Sequence, residues 1–341
     1  MKSLFFRVLM ALLCGLLVSS SCSSIKKLTS NGEPNTLVFD EIWGYLLSGE
    51  EKAVKGDEPF TDIFYFAASI NRNGRLKGKK SLPGIRWAND IKPRIHLVVF
   101  ELDNPSLLKE CLNDRDMRNK LVGDIVEFSR EFDGVQIDFE AVRNSDGEAF
   151  VEFLTALKGD LGEKTLSVAL PARRYYVKDG YDYAEIGKVA DRVYIMAYDE
   201  HWRTSKPGPV ASVKWCRSIV KYARKNIPQR KLVMGLPLYG RAWQVREINR
   251  AVRFQNVQDI MKNNWVVKPK YHQNMGPYLE YKEEVKVRVY YEDSRSLTKK
   301  LRLYRNYGVN KVGFWRIGQG PEDLWPRMTA GAEKHEEGRY Q

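Results

Sequence analysis

Between about residue 38 and residue 325 the chain repeats one pattern, a short apolar run followed by a longer amphipathic stretch. The runs occupy residues 42–46, 63–67, 95–100, 134–139, 166–170, 193–198, 232–236 and 312–315. Runs that are apolar at most positions, instead of alternating regularly with polar ones, predict parallel strands covered on both faces. The stretches between them, such as residues 116–132 and 148–161, have helical periodicity. Eight such units in succession predict an α/β fold, a (β/α)8 TIM barrel over residues 38–330.

The spacing breaks once. The segment between the seventh and eighth runs is far longer than a strand–helix–strand step needs. Inside it, Lys286-Val287-Arg288-Val289-Tyr290-Tyr291 alternates like a half-exposed strand, and residues 297–307 have a helical pattern. A small α+β insertion over about residues 244–293, between strands seven and eight, is expected on the C-terminal face of the barrel. There it forms one wall of a cleft.

The N-terminus reads as a targeting segment. Lys2 and Arg7 precede an apolar run over residues 8–18, which is too short to cross a bilayer of ~30 Å, for which ~20 residues are needed. Ser19-Ser20-Ser21 then leads into Cys22, and the whole resembles a bacterial lipoprotein signal over residues 1–21. That resemblance implies lipidation of Cys22, export, and a membrane anchor in the bacterial cell envelope. An ordinary secretory signal cleaved nearby is the alternative. Residues 22–37 read as a polar tether and 331–341 as a polar C-terminal tail.

Composition narrows the class. Hydrophobic residues at 43%, aromatic residues at 12% and charged residues at 29% exclude a disordered tail, a collagen or a multi-span membrane protein. With four cysteines, four histidines and no CxxC or HxxxH spacing, neither a disulfide scaffold nor a metal site is expected, and no cofactor is implied. Cys111 and Cys216 are expected to be buried thiols. The formal charge of +13 falls to +11 once residues 1–21 leave, because Lys2 and Arg7 go and no acid does. A basic exported chain suits an anionic neighbour such as cell-wall polymer or lipid head groups. Its basic pairs, Lys79-Lys80, Arg173-Arg174 and Lys299-Lys300, are scattered among acids and read as solvated surface, not as a nucleic-acid site. A monomer is expected.

Barrel chemistry sits at the C-terminal ends of strands. In Asp133-Gly134-Val135-Gln136-Ile137-Asp138-Phe139-Glu140, alternation puts Gln136, Asp138 and Glu140 on one face, aimed into the barrel mouth. Acids aimed inward from an apolar strand carry a desolvation cost of several kcal/mol unless they are paired or functional. Two at this spacing make a site a better reading than a structural carboxylate.

Asp133-x-x-Gln136-x-Asp138-x-Glu140 resembles the DxxDxDxE signature of family 18 glycoside hydrolases. Three further motifs agree in order: Met196-Ala197-Tyr198-Asp199, Gly235-Leu236-Pro237-Leu238-Tyr239-Gly240-Arg241, and Gly313-Phe314-Trp315. Tyr198-Asp199-Glu200-His201-Trp202 followed by Gly208-Pro209-Val210-Ala211-Ser212 is similar to the bacterial branch of spore-cortex and peptidoglycan N-acetylglucosaminidases. Gln136 stands where chitinases usually have another aspartate, and that branch often carries an amide there.

The resemblance implies a retaining, substrate-assisted glycosidase acting on β-1,4-linked N-acetylglucosamine glycans, an exception to the two-carboxylate scheme. Glu140 is implied as the general acid, which needs a raised pKa. Asp138 is implied to hold the acetamido N–H and Tyr198 the acetamido oxygen. Asp199 and Arg241 are candidate sugar-hydroxyl contacts, and Gln136 is a further candidate substrate contact. Trp315 is the expected apolar floor under the sugar ring. Tyr45 and Tyr239 are either cleft wall or core. Because Gln136 is neutral, Asp138 is expected to ionise readily, helped by a bond from the Gln136 amide, and Gln136→Asp is expected to fold with a displaced pH profile. A glycan-binding lectin and a purely structural lipoprotein are the rival classes, and the intact Glu140 favours the enzyme. Peptidoglycan, chitin and N-glycan cores all supply the sugar. The anchor and the basic surface favour peptidoglycan.

Overall fold

The computed structural model describes residues 36–88, 92–244, 253–263, 268–273, 276–281 and 284–331. Cys22, most of the tether, and the tail beyond residue 331 lie outside them. Eight strands form the core sheet: β1 Glu41–Leu47, β2 Asp62–Ile70, β3 Arg94–Glu101, β4 Gly134–Phe139, β5 Thr165–Pro171, β6 Arg192–Met196, β7 Leu232–Pro237 and β8 Lys311–Trp315. Each is parallel to the next, and β8 pairs with β1, so the sheet closes on itself. Every apolar run of the sequence lands on one of these strands, and the fold is the expected TIM barrel.

The two faces of each strand meet different cores. Outward residues such as Ile63, Leu97, Ile137 and Leu166 pack against the helices, among them Arg115–Phe128, Gly147–Leu161, Val213–Asn226 and Ser294–Asn306. Inward residues fill the barrel with a second, largely aromatic core of Trp43, Tyr45, Phe64, Phe66, Val98, Ala169, Tyr194 and Val233. Room for Tyr194 comes from Gly235 and Gly313. A Cβ on either would stand 2.6–2.7 Å from the tyrosine ring or hydroxyl. The strand–helix alternation is incomplete. Among the described residues, β1 and β2 are followed by no α-helix, only by the short 3-10 turn Glu51–Ala53 and the antiparallel edge strand Leu76–Gly78.

The N-terminal end of the barrel is held by ion pairs. Arg192 bridges to Glu41, whose carboxylate also accepts the Trp43 indole N–H. Asp62, buried in β2, meets His96 Nε2 and the Arg94 guanidinium at 2.8 Å each. Burial alone would raise the Asp62 pKa. His96 and Arg94 outweigh it, and the pKa is lowered. A carboxyl with a lowered folded-state pKa adds stability above its unfolded pKa of ~3.9 and loses it as pH falls through the folded value. Asp62→Ala is expected to destabilise the fold by about 2–3 kcal/mol, because it strands buried His96. The shift in urea midpoint between wild type and variant at neutral pH measures this, and the difference should shrink as pH drops below ~4.

Between β7 and β8 the chain leaves the barrel. Strand Arg241–Gln244 pairs antiparallel with Val287–Tyr290, and the segment between them carries helix Phe254–Asn263 and the ribbon Lys270–His272 with Gly276–Tyr278. The antiparallel pair that frames this excursion begins at Arg241, a few residues before the position expected from sequence. Its face carrying Val287 and Val289 is exposed, not half-buried.

Candidate active site

Parallel strands bring all their C-terminal ends to one mouth, and the polar residues collect there. Asp133, the first residue of the motif, lies at the other end of β4. Its carboxylate accepts the Ile95 backbone N–H at 2.7 Å, so it stitches β3 to β4 and stays away from the cleft. Asp138 is 4% exposed, lines the cleft floor, and has an Oδ1 without a hydrogen-bond partner. Glu140 follows at the lip of the strand, open to the cleft.

Two adjoining depressions share Glu140, Met196, Tyr198 and Asp199. One, of about 400 Å³, is lined further by Asp138, Tyr239, Arg241, Trp315 and Arg316. The other, of about 470 Å³, continues past Glu140 between Arg173, Arg174, Tyr175, Trp202 and Trp215. The cleft thus extends to both sides of one carboxyl.

Each wall has a support. Trp315 rests edge-on against Phe66 with ring centroids 4.9 Å apart, and on Tyr45 at 5.6 Å. Asp199 has the left-handed φ of 59°, uncommon for a residue with a side chain. Its carboxylate is held there by the Tyr239 hydroxyl and by Arg241, whose Nη2 donates at 2.7 Å. The backbone on either side of Glu140 is clamped by buried Tyr181, whose hydroxyl donates to the Phe139 carbonyl at 2.8 Å and accepts the Val142 N–H at 3.1 Å. Tyr181→Phe removes both bonds while keeping the ring. It is expected to lower kcat by about three- to tenfold at nearly constant KM, since each lost bond is worth ~1 kcal/mol in holding the acid in line. Steady-state kinetics on a soluble oligosaccharide check this.

Electrostatics set the acids apart from ordinary carboxylates. Burial, then the charge of Glu140, pushes Asp138 well above the usual range. Glu140 is also raised, by desolvation against the cleft wall and by the charge of Asp199.

Gln136 is fully buried beneath the cleft, and its amide donates to Ser167 Oγ at 3.2 Å, not to Asp138. It is not a substrate contact, and Asp138 does not ionise readily, because loss of solvation outweighs the neutrality of its neighbour. Gln136→Asp would place another carboxyl in a dry interior, so it is a destabilising change, not a neutral one. Tyr45, 1% exposed, belongs to the barrel core under Trp315 and not to the wall. Tyr239 does line the cleft. Arg173 and Arg174, read as solvated surface, line it as well. The signal missed was their place in the loop just after β5, followed by two tyrosines. Glu200 and His201 build the next loop. The Glu200 carboxylate accepts the Ser212 N–H at 2.7 Å, and His201 Nδ1 donates to the Pro209 carbonyl at 2.9 Å. The site holds no cluster of potential metal ligands among the described residues.

Comparison with known proteins agrees with this geometry. The family model "Glycosyl hydrolases family 18" matches residues 58–320. The uncharacterized glycosylase YvbX of Bacillus subtilis is 27% identical over 294 residues, covering 80% of this chain and 84% of its own length. The cortical fragment-lytic enzyme of Bacillus anthracis is 28% identical over 287 residues, covering 78% of this chain and 67% of its own. The crystal structure of the Bacillus cereus spore cortex-lytic enzyme SleL shares the fold, with a TM-score of 0.68 at 24% identity over 87% of this chain and 76% of that one. A closed barrel, paired acids at the end of β4 and a family match over most of its length make this chain a glycosidase belonging to glycosyl hydrolase family 18.

Proposed function

We propose that the chain is an exported enzyme that hydrolyses β-1,4-linked N-acetylglucosamine glycans, peptidoglycan foremost, with net retention and with Glu140 as general acid. The observation that carries this reading is the Asp138–Glu140 pair, one acid buried with an unpartnered oxygen and the other open at the centre of a two-sided cleft. The orphaned Asp138 oxygen suits an acetamido N–H from the sugar lying on Trp315. Positioned so, the acetamido oxygen attacks C1 while Glu140 protonates the departing glycosidic oxygen, giving an oxazolinium intermediate. Glu140 then takes the proton of the water that opens the ring. Tyr198, Tyr239 and Arg241 surround the same sugar. Relatives named for cortex lysis, a basic chain and the lipoprotein-like leader support peptidoglycan and an anchor on Cys22. Digestion of purified peptidoglycan, with mass spectrometry of the products, tests the substrate. Export and anchoring are tested by labelling with a fatty-acid precursor, which Cys22→Ala should abolish.

The pKa directions give the pH dependence a sign. Catalysis needs protonated Glu140, so a raised pKa keeps activity further towards neutral pH, and activity falls as pH rises through it. Asp199→Asn removes the neighbouring negative charge and leaves Arg241 uncompensated. Both changes favour ionised Glu140, so the alkaline limb of kcat/KM should move to lower pH. A limb that stays in place would show that another group sets it.

A further inference from the structure

Four arginines line the cleft, and three of them are already paired. Arg173 binds Asp179, Arg241 binds Asp199, and Arg316 binds Glu50. Arg174 is exposed and, among the described residues, has no carboxylate within ion-pair distance. Its guanidinium lies 5.7 Å from the Tyr175 ring centroid. The loop that carries it is ordered: the Arg173–Asp179 pair spans it, and the Asp179 carboxylate also accepts the Tyr181 N–H. The half of the cleft it lines is aromatic. Tyr175 is 62% exposed and Trp202 53%, with the Trp202 indole N–H fixed to Thr204. Glu200, in the same half, is occupied by the Ser212 N–H. Among the described residues that line the cleft, Arg174 is thus the one arginine left unneutralised, and beside exposed rings it suits a sugar that stacks and also carries a negative charge.

Which sugar this is follows from the two-sided cleft. The sugar whose acetamido group meets Asp138 must lie on the Trp315 side, because Asp138 lines that half and not the other. The group that leaves lies beyond Glu140, on the Arg174 side. We propose that Arg174 recognises a carboxylate carried on the C3 substituent of the leaving-group sugar. Muramic residues of peptidoglycan have such a substituent and chitin lacks it. The inference rests on the proposed assignment of Glu140 and Asp138. The carboxylate has two possible sources, the lactyl group itself or the acidic residues of a peptide attached to it.

The test compares wild type with Arg174→Ala on three substrates of equal sugar number: a chito-oligosaccharide, a peptide-free glucosaminyl–muramyl oligosaccharide and its peptide-bearing form. Arg174→Ala should lower kcat/KM about tenfold or more on a carboxylate substrate, the ~1.4 kcal/mol expected of one charged contact, and no more than about twofold on the chito-oligosaccharide. Loss on the peptide-free substrate points to the lactyl carboxylate, and loss confined to the peptide-bearing one points to the peptide. Equal loss on all three, or none on either acidic substrate, overturns the proposal. Raised ionic strength should weaken wild-type turnover of the acidic substrates selectively. Calorimetry of the same ligands on Glu140→Gln, with and without Arg174→Ala, reads recognition without turnover. Retained hydrolysis by Glu140→Gln would sink the general-acid assignment, whereas a binding difference there would still uphold Arg174.

Discussion

Glu140→Gln is expected to abolish hydrolysis while glycan binding survives. The amide keeps the shape of the side chain and its place at the junction of the two depressions, but it cannot deliver a proton. Loss of a general acid typically lowers the rate by ~10²–10⁴-fold. A leaving group that departs without protonation should recover much of that loss, because in the proposed mechanism attack by the acetamido oxygen does not need Glu140. The two measurements together separate a missing proton from a damaged site. Turnover above a few per cent of wild type on the natural glycosidic bond would mean the acid lies elsewhere. The same variant decides between enzyme and lectin, since a lectin would bind glycan equally well with or without it and hydrolyse nothing in either form.

Asp138→Ala is expected to show the opposite signature. In the proposed mechanism it is the nucleophile that is affected: without Asp138 the acetamido group has no buried acceptor to orient it for attack on C1. Losing one preorganised contact of that kind costs ~10²–10³-fold in kcat. A better leaving group should not repair it. A thiazoline mimic of the oxazolinium should inhibit wild type far better than N-acetylglucosamine does and lose that advantage in Asp138→Ala. Equal affinity of wild type for the two ligands would count against substrate assistance. Thermal stability should rise in this variant, because Asp138 is buried with an unpartnered oxygen and its removal relieves a desolvation cost. A lowered Tm would show that Asp138 has a structural partner.

The eight runs determined the barrel by themselves, because a strand covered on both faces is apolar at most of its positions, and such strands pair in parallel only with crossovers between them. The paired acids were equally legible: alternation along β4 fixes their common direction, and parallel pairing fixes the end of the barrel at which they emerge. Roles that depend on depth were not legible. Gln136 and Asp138 share a face, yet two residues of strand, about 7 Å, separate a position sealed under the cleft from one that lines it. Tyr45 and Trp315 lie on neighbouring strands that pair around the closed sheet, and only the stacking of one beneath the other makes Trp315 the wall and Tyr45 its support. Charge was the least legible property. Arg173 and Arg174 are adjacent basic residues in the sequence, and only the course of the loop after β5 decides which of them meets Asp179, six residues on, and which stands in the cleft with no ion-pair partner among the described residues. Strand pattern is written locally, because the alternation of side-chain direction and the run of apolar positions are properties of successive residues. Burial depth, and ion pairs such as Arg241 with Asp199, are set by segments far apart in sequence, and only the closed barrel brings those segments together.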